Sequence, residues 1–383
     1  MQKLRSHHLD QRPPFECIAL LLQGGGALGA YQGGVYQALH ESGLEPDWVA
    51  GISIGAINSA IIAGNAPQER LAKLRAFWEG ITAHPAWDAL SSLTHQFASG
   101  EAMRSWLNQS SASMALAAGA PGFFAPRIPT PWFSAPGSVG ATSYYDTRDL
   151  KGTLERLVDF DRLNAGAMRL SVGAVNVRTG NFAYFDTTTD VIRPEHIMAS
   201  GALPPGFPAI EIEGECYWDG GLISNTPLQW VVETSGAYMD TLAFQVDLWS
   251  ALGEMPKDLI EVDVREKEIR FSSRTRAATD QFKHRQLLRG ALSALLGKLP
   301  KTFESGPELE LLRPYAGHKV YNLVELIYRS KHYEGSSKDY EFSRLSMEDH
   351  WRSGYDDAVR ALRQPEIYER PTSLDGVSTF DFG

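Results

Sequence analysis

The sequence predicts an α/β fold: three layers, α/β/α, around a mainly parallel sheet, plus a helical C-terminal extension. Short unbroken apolar runs alternate with helix-period segments from residue 15 onward, a glycine cluster closes the first run, and charged, helix-forming sequence takes over beyond Lys257. Strands buried on both faces read as continuous apolar runs, and a strand, helix, strand, helix rhythm marks parallel βαβ units.

Phe15 to Leu22 is the first apolar run. Ala27 to Ser42 comes next with Leu28, Tyr31, Val35 and Leu39 on one side, and Gly43 stops it. Trp48 to Ile52 reads as a second strand, which leads into a small-residue helix ending at Ala63 before Gly64 and Asn65. Leu170 to Val177 and Phe182 to Phe185 read as a strand pair joined by an Arg178-Thr179-Gly180-Asn181 turn, and Thr241 to Leu248 as another core strand. Ser105 to Tyr145 has Arg127 as its only charge and is dense in Gly, Pro, Ala and Ser, with Phe123, Phe124, Trp132 and Phe133 among them. It reads as a long apolar loop, either a lid or lining over a substrate site or a disordered insertion, and its aromatics weigh against the second because disordered segments are poor in them. A charged helix is expected from Glu261 to about Leu299, a strand at Lys319 to Ile327, and a last helix from Ser346 to Arg363. Ser346 is its expected N-cap, with Met347, Trp351, Tyr355, Val359 and Leu362 on one face.

Of the 383 residues 43% are hydrophobic and 21% charged, which excludes a disordered chain or a heptad rod. The net charge of −10 gives no general attraction for nucleic acid, and none is expected as a partner. Cys17 and Cys216 sit in apolar stretches and read as free, buried thiols of a reducing compartment. The first residues carry no secretory pattern, and Val49 to Gln68 is interrupted by Ser53, Asn58, Ser59 and Asn65, so a cytoplasmic location is expected.

Two glycine-framed motifs carry chemistry. Gly24-Gly25-Gly26-Ala27-Leu28-Gly29 lies between a strand and a helix and also satisfies the letters of a dinucleotide loop. That rival needs an acidic residue at the end of the second strand; here Asp47 stands at its start and Ser53 at its end, so no cofactor and no metal is implied. Gly51-Ile52-Ser53-Ile54-Gly55 is a nucleophile elbow, a sharp strand-to-helix turn that presents a serine hydroxyl. Backbone N–H groups of Gly24, Gly25 and Gly26, with those of Ile54, would lie beside it as an oxyanion site. A serine needs a base, and His284, His318, His332 and His350 all lie in polar contexts beyond the core. Asp219, at the end of the run Cys216-Tyr217-Trp218 and followed by Gly220 and Gly221, is the better-placed candidate.

With these residues the chain resembles the patatin-like phospholipases. That family combines a glycine-rich oxyanion loop, a G-x-S-x-G serine and an Asp-Gly-Gly aspartate, and all three appear in order as Gly24 to Gly29, Gly51 to Gly55 and Asp219 to Gly221. A further family segment matches Ala199, Ser200, Ala202, Pro204, Phe207 and Pro208. The resemblance implies a Ser53–Asp219 dyad without histidine and a catalytic domain over residues 15–255, with 105–145 as an insertion. The basic residue usual in the glycine loop is Leu28 here. Residues 256–383 look like an uncharacterised extension of a bacterial branch. The expected function is hydrolysis of acyl esters, of the phospholipase A, lysophospholipase or esterase type, on an acyl-ester or (lyso)phospholipid partner. The alternatives are an acyl thioesterase or acyltransferase, and a non-catalytic acyl-lipid-binding scaffold.

Gln281 to Phe303 contains no acidic residue, five basic ones, and Leu288, Leu292, Leu295, Leu296 and Leu299 at helical spacing. Two readings stand: docking onto the catalytic domain through the leucines, which is what most such helices do, or peripheral contact with the inner membrane face.

Overall fold

The computed structural model describes residues 6–83, 100–234, 240–300, 306–317, 319–331, 333–373 and 375–382, with backbone alone for 102, 260 and 273–276. Its principal strands are β1 (Cys17–Leu22), β2 (Trp48–Ile52), β3 (Arg169–Asn176), β4 (Phe182–Asp186), β5 (Ile210–Ile212), β6 (Glu215–Asp219), β7 (Thr241–Asp247), β8 (Tyr321–Ile327) and β9 (Val377–Asp381). They form one nine-stranded sheet in the order β9-β8-β7-β1-β2-β3-β6-β5, with β4 also pairing β3. From β9 to β3 every pairing is parallel, and β4, β5 and β6 join antiparallel.

The principal helices are α1 (Ala30–Ser42), α2 (Ile54–Ala63), α3 (Pro67–Ile81), α4 (Glu101–Ala118), α5 (Arg148–Leu157), α6 (Pro194–Ser200), α7 (Leu228–Thr234), α8 (Leu259–Leu296) and α9 (Arg344–Leu362). Alternation along β1 explains the layers. Ile18, Leu20 and Leu22 point to the face covered by α1, α2, α3 and α9, whereas Cys17, Ala19 and Leu21 meet α7 and Phe282 of α8. Each such leucine, fully buried, contributes about 1.5–3 kcal/mol. The run is unbroken because water reaches neither face.

Several expectations need correction. The stretch from Ser105 is helical as far as Ala118, and only the part beyond that residue is loop with short turns. Alanine and serine without Gly or Pro satisfy a helix, and the breakers begin at Gly119, whose φ is +83°. The N-cap of α9 is Ser343, whose hydroxyl accepts from Ser346 N at 3.2 Å. Cys17 is buried, but Cys216, on the short β6, is exposed.

The change of composition near residue 255 is no break in the sheet, because β8 and β9 of the extension continue it directly from β7. α9 lies along α1: Tyr31 Oη donates to Asp357 at 2.9 Å and Trp351 Nε1 to Gln37 at 2.7 Å. The region beyond 255 is mainly helical and also supplies two strands. Within α8, Phe282 and Gln286 are buried, while Leu288 and Leu295 are 56% and 59% exposed. Of the expected leucine stripe, Leu288 and Leu295 therefore do not dock this helix, while Leu292 and Leu296 are half-buried. Lys301 and Phe303 lie outside the described residues. Among the described residues no helix is long and apolar enough to cross a membrane.

Candidate active site

β1 and β2 run side by side with Leu22 opposite Gly51, so both glycine motifs leave the sheet at the same edge. Ser53 is held at φ 56° and ψ −124°, a conformation L-residues rarely adopt. The turn is this tight because its flanks lack side chains. A Cβ on Gly51 would lie 2.2 Å from Gly55 O, and one on Gly55 would lie 2.2 Å from Leu22 O. The elbow is also tied down: Ser53 N donates to Ser200 Oγ at 3.0 Å, and Ser200 Oγ donates to Gly173 O at 2.7 Å. Ser200 was legible in the sequence as part of a motif, but its task was not.

Asp219 ends β6 opposite Ala174 of β3, and its N–H donates to Ala202 O at 3.0 Å. The side chain is buried, and Oδ1 accepts from Gly221 N at 2.7 Å. Burial pushes its carboxyl from the ordinary 3.8 up to about 7, against the opposing pull of the Ser53 hydroxyl and the Gly221 N–H. Gly220 O accepts from Ile223 N and Ser224 N, which tightens the turn behind it.

The glycine loop approaches closely, for a Cβ built on Gly24 would stand 3.0 Å from Ser53 Cβ. The expectation that Gly24 offers its N–H is corrected. That group donates to Asn225 O at 3.3 Å, and Gly24 O accepts from Asn225 Nδ2 and Trp249 Nε1, each at 3.0 Å. Ala27 N donates to Asp339 O at 2.8 Å and Leu28 N to Gly25 O at 3.2 Å. The loop's remaining donors are Gly25 N and Gly26 N, at the head of the turn Gly26–Gly29, where the first N–H groups lack intrahelical partners. Leu28 is fully buried in the main core, so this position supplies packing in place of charge.

A cavity of about 300 Å³ joins these groups, with Gly24, Gly25, Gly26, Ser53 and Asp219 at its polar end. Its wall is apolar: Phe123, Phe124, Tyr145, Leu203, Pro204 and Phe207 from the first part of the chain, and Phe271, Tyr340 and Phe342 from the extension. Of the 105–145 aromatics, Phe123 and Phe124 line it, whereas Trp132 and Phe133 are 82% and 84% exposed elsewhere. No histidine is among the described lining residues. His350 is buried against Glu334 at 3.0 Å, and His318 and His332 lie outside the described residues. Asp47, at the start of the second strand where a dinucleotide reading would need its acid at the end, accepts from Ile18 N at 2.7 Å. Among the described residues no cluster of three His, Cys, Asp or Glu could hold a metal ion.

A hydroxyl on a strained turn, a buried carboxylate that ionises near neutrality and N–H donors at the head of a helical turn together make up the equipment of acyl transfer. The sequence missed Asn225, Trp249, Phe271, Asp339, Tyr340 and Phe342; none belongs to a short motif.

The profile of the patatin-like phospholipase family matches residues 20–231, more than half of the chain, and a second profile, described as patatin phospholipase, matches 269–374. Lysophospholipase nte1 of Aspergillus terreus is 45% identical over 60 residues, which are 16% of this chain and 4% of that protein. Among solved structures, VipD from Legionella pneumophila aligns over 91% of this chain and 67% of its own, at 16% identity and a TM-score of 0.37. The ExoU–SpcU complex of Pseudomonas aeruginosa aligns over 70% of this chain and 53% of that one, at 16% identity and a TM-score of 0.26.

Proposed function

Because the chain belongs to the patatin-like phospholipase family, we propose that it is a serine acyl-ester hydrolase of lipid substrates that works through Ser53 and Asp219. The observation that carries the reading is the buried Asp219 carboxyl, pushed up to about 7 beside the Ser53 hydroxyl at the polar end of an apolar cavity. A base with such a value is half ionised at neutral pH, where a normal carboxylate would be too weak to take a serine proton.

In this mechanism Ser53 Oγ attacks the ester carbonyl as its proton passes to Asp219. The N–H groups of Gly25 and Gly26, with that of Ile54, receive the oxyanion. Collapse expels the alcohol or lysolipid, which takes the proton from Asp219 and leaves an acyl-serine. Water then attacks the acyl carbon, again giving its proton to Asp219; collapse of the intermediate breaks the bond to Ser53 Oγ, which takes that proton back from Asp219, and the fatty acid leaves. The aromatic wall receives the acyl chain, as apolar pockets do. The loop 119–145 acts as a cover through Phe123, Phe124 and Tyr145, and the exposed leucines of α8 are available for peripheral lipid contact.

The test uses p-nitrophenyl esters from C4 to C16 and phosphatidylcholine or lysophosphatidylcholine, with Ser53→Ala as control. The expected result is ester hydrolysis that falls at least a thousandfold in the variant. Hydrolysis that is equal in both proteins overturns the reading. Turnover of acyl-thioesters in preference to oxygen esters would favour the thioesterase alternative, which the same dyad would serve.

A further inference from the structure

The extension reaches into the glycine loop. Asp339 O accepts the Ala27 N–H at 2.8 Å, and a Cβ on Gly26, whose φ is +56°, would lie 2.0 Å from that oxygen. The segment carrying Asp339 therefore lies flat on the peptide beside the oxyanion donors. It is fastened from α8. Lys267 Nζ donates to Ser336 O at 2.8 Å and to Asp339 Oδ1 and Oδ2 at 2.9 and 3.1 Å. One residue on, Glu268 Oε1 accepts from the buried Lys338 Nζ at 2.8 Å, and Lys338 also reaches Ser330 Oγ at 2.6 Å.

We propose that residues 336–342 form a strap that sets the oxyanion donors and that Lys267 is its positioning residue, an inference that rests on the acyl-hydrolase reading above. Two adjacent peptide planes are involved. The Gly26 N–H shares a plane with Gly25 O, which Leu28 N holds; the next plane carries the Ala27 N–H, which Asp339 O holds. Glycine permits wide rotation between them, so releasing the second plane frees the first to swing. A preorganised donor loses its value when it must be reoriented during reaction. Charge supplies the second part. Asp339 lines the cavity, and its carboxylate, if left bare, would repel the negative charge that develops on the substrate oxygen. Lys267 both anchors the strap and neutralises that carboxylate, supplying from the extension a cation that the loop, with Leu28, does not carry.

The test is steady-state kinetics of the full chain on p-nitrophenyl butyrate, with melting temperatures as a check on folding. Lys267→Met is expected to lower kcat about tenfold with KM within twofold, and Lys267→Arg to restore most of it. Asp339→Asn cuts the same pair without leaving a bare carboxylate. It should cost less, about threefold, and should partly rescue kcat when added to Lys267→Met, which a purely structural contact would not do. If Lys267→Met fails to fold, Asp339→Asn and Lys267→Arg carry the comparison. Unchanged kcat in folded Lys267→Met or Asp339→Asn, with an active parent, overturns this inference alone. A parent that hydrolyses no ester overturns the acyl-hydrolase reading, and the inference with it.

Discussion

Replacing Asp219 by Asn should do two opposite things at once: remove nearly all turnover and stabilise the protein at alkaline pH. The carboxyl is fully buried, and its pKa stands at about 7 instead of 3.8. At 1.36 kcal/mol for each tenfold change in proton affinity, keeping it ionised costs the folded state roughly 4 kcal/mol. The direction comes from the sign of the shift. A carboxyl that holds its proton more tightly when folded gives its full stabilisation below about pH 4. That contribution declines as pH rises and is gone above about 7. Asparagine keeps the shape and the acceptor for Gly221 N but never ionises. The variant should therefore melt close to the parent at pH 4 and well above it at pH 8, by on the order of 5 °C for a chain of this length. Asp247, also raised to about 7 by burial, is present in both proteins and cancels in the difference. Calorimetry from pH 4 to 8 with ester hydrolysis on the same samples decides it. A melting difference independent of pH, or an Asn variant less stable at pH 8, would refute the desolvation argument; near-parental turnover would refute the role given to Asp219.

Three further outcomes are expected. The parent's kcat/KM should fall about tenfold between pH 8 and pH 6 as Asp219 takes up its proton, and a profile flat over that range would exclude it as the base. Phe124→Ala and Phe342→Ala should raise KM for C12 to C16 esters several-fold more than for butyrate, since both rings line the cavity wall; an equal change at all lengths would move the acyl chain elsewhere. Gly34→Ala would set a Cβ 1.8 Å from Trp351 O and should destabilise by about 2–3 kcal/mol as α1 and α9 are forced apart, measured by urea unfolding.

What the sequence made legible was whatever is local. The buried strands, the elbow around Ser53 and the turn after Asp219 each leave a signature within a few residues, because backbone geometry there tolerates few side chains. The first third of 105–145 was misread because Ala and Ser are compatible with both loop and helix, and the Pro and Gly farther along coloured the whole stretch. The candidate oxyanion donors were half legible: the glycine loop announced itself, but that Gly24 spends its N–H on Asn225 depends on a residue far along the chain. Phe271, Tyr340 and Phe342 left no signal at all. An aromatic side chain in a helix or loop looks the same whether it fills a core or lines a cavity, and only the three-dimensional path of the extension decides.

That path also sets a timetable for the molecule's own synthesis. Ser53 and the glycine loop leave the ribosome early, yet the strap over the loop and the strands β8 and β9, which extend the sheet beyond β7, are made much later. Until they arrive, β7 is an edge strand with open hydrogen-bonding groups, and such edges recruit other chains. A nascent chain therefore carries Ser53 long before it has a finished pocket. On the mechanism proposed above, a translation product interrupted before residue 336 would hold Ser53 without the strap and without Tyr340 and Phe342 of the cavity wall, so it is a candidate for aggregation and not a stray lipase.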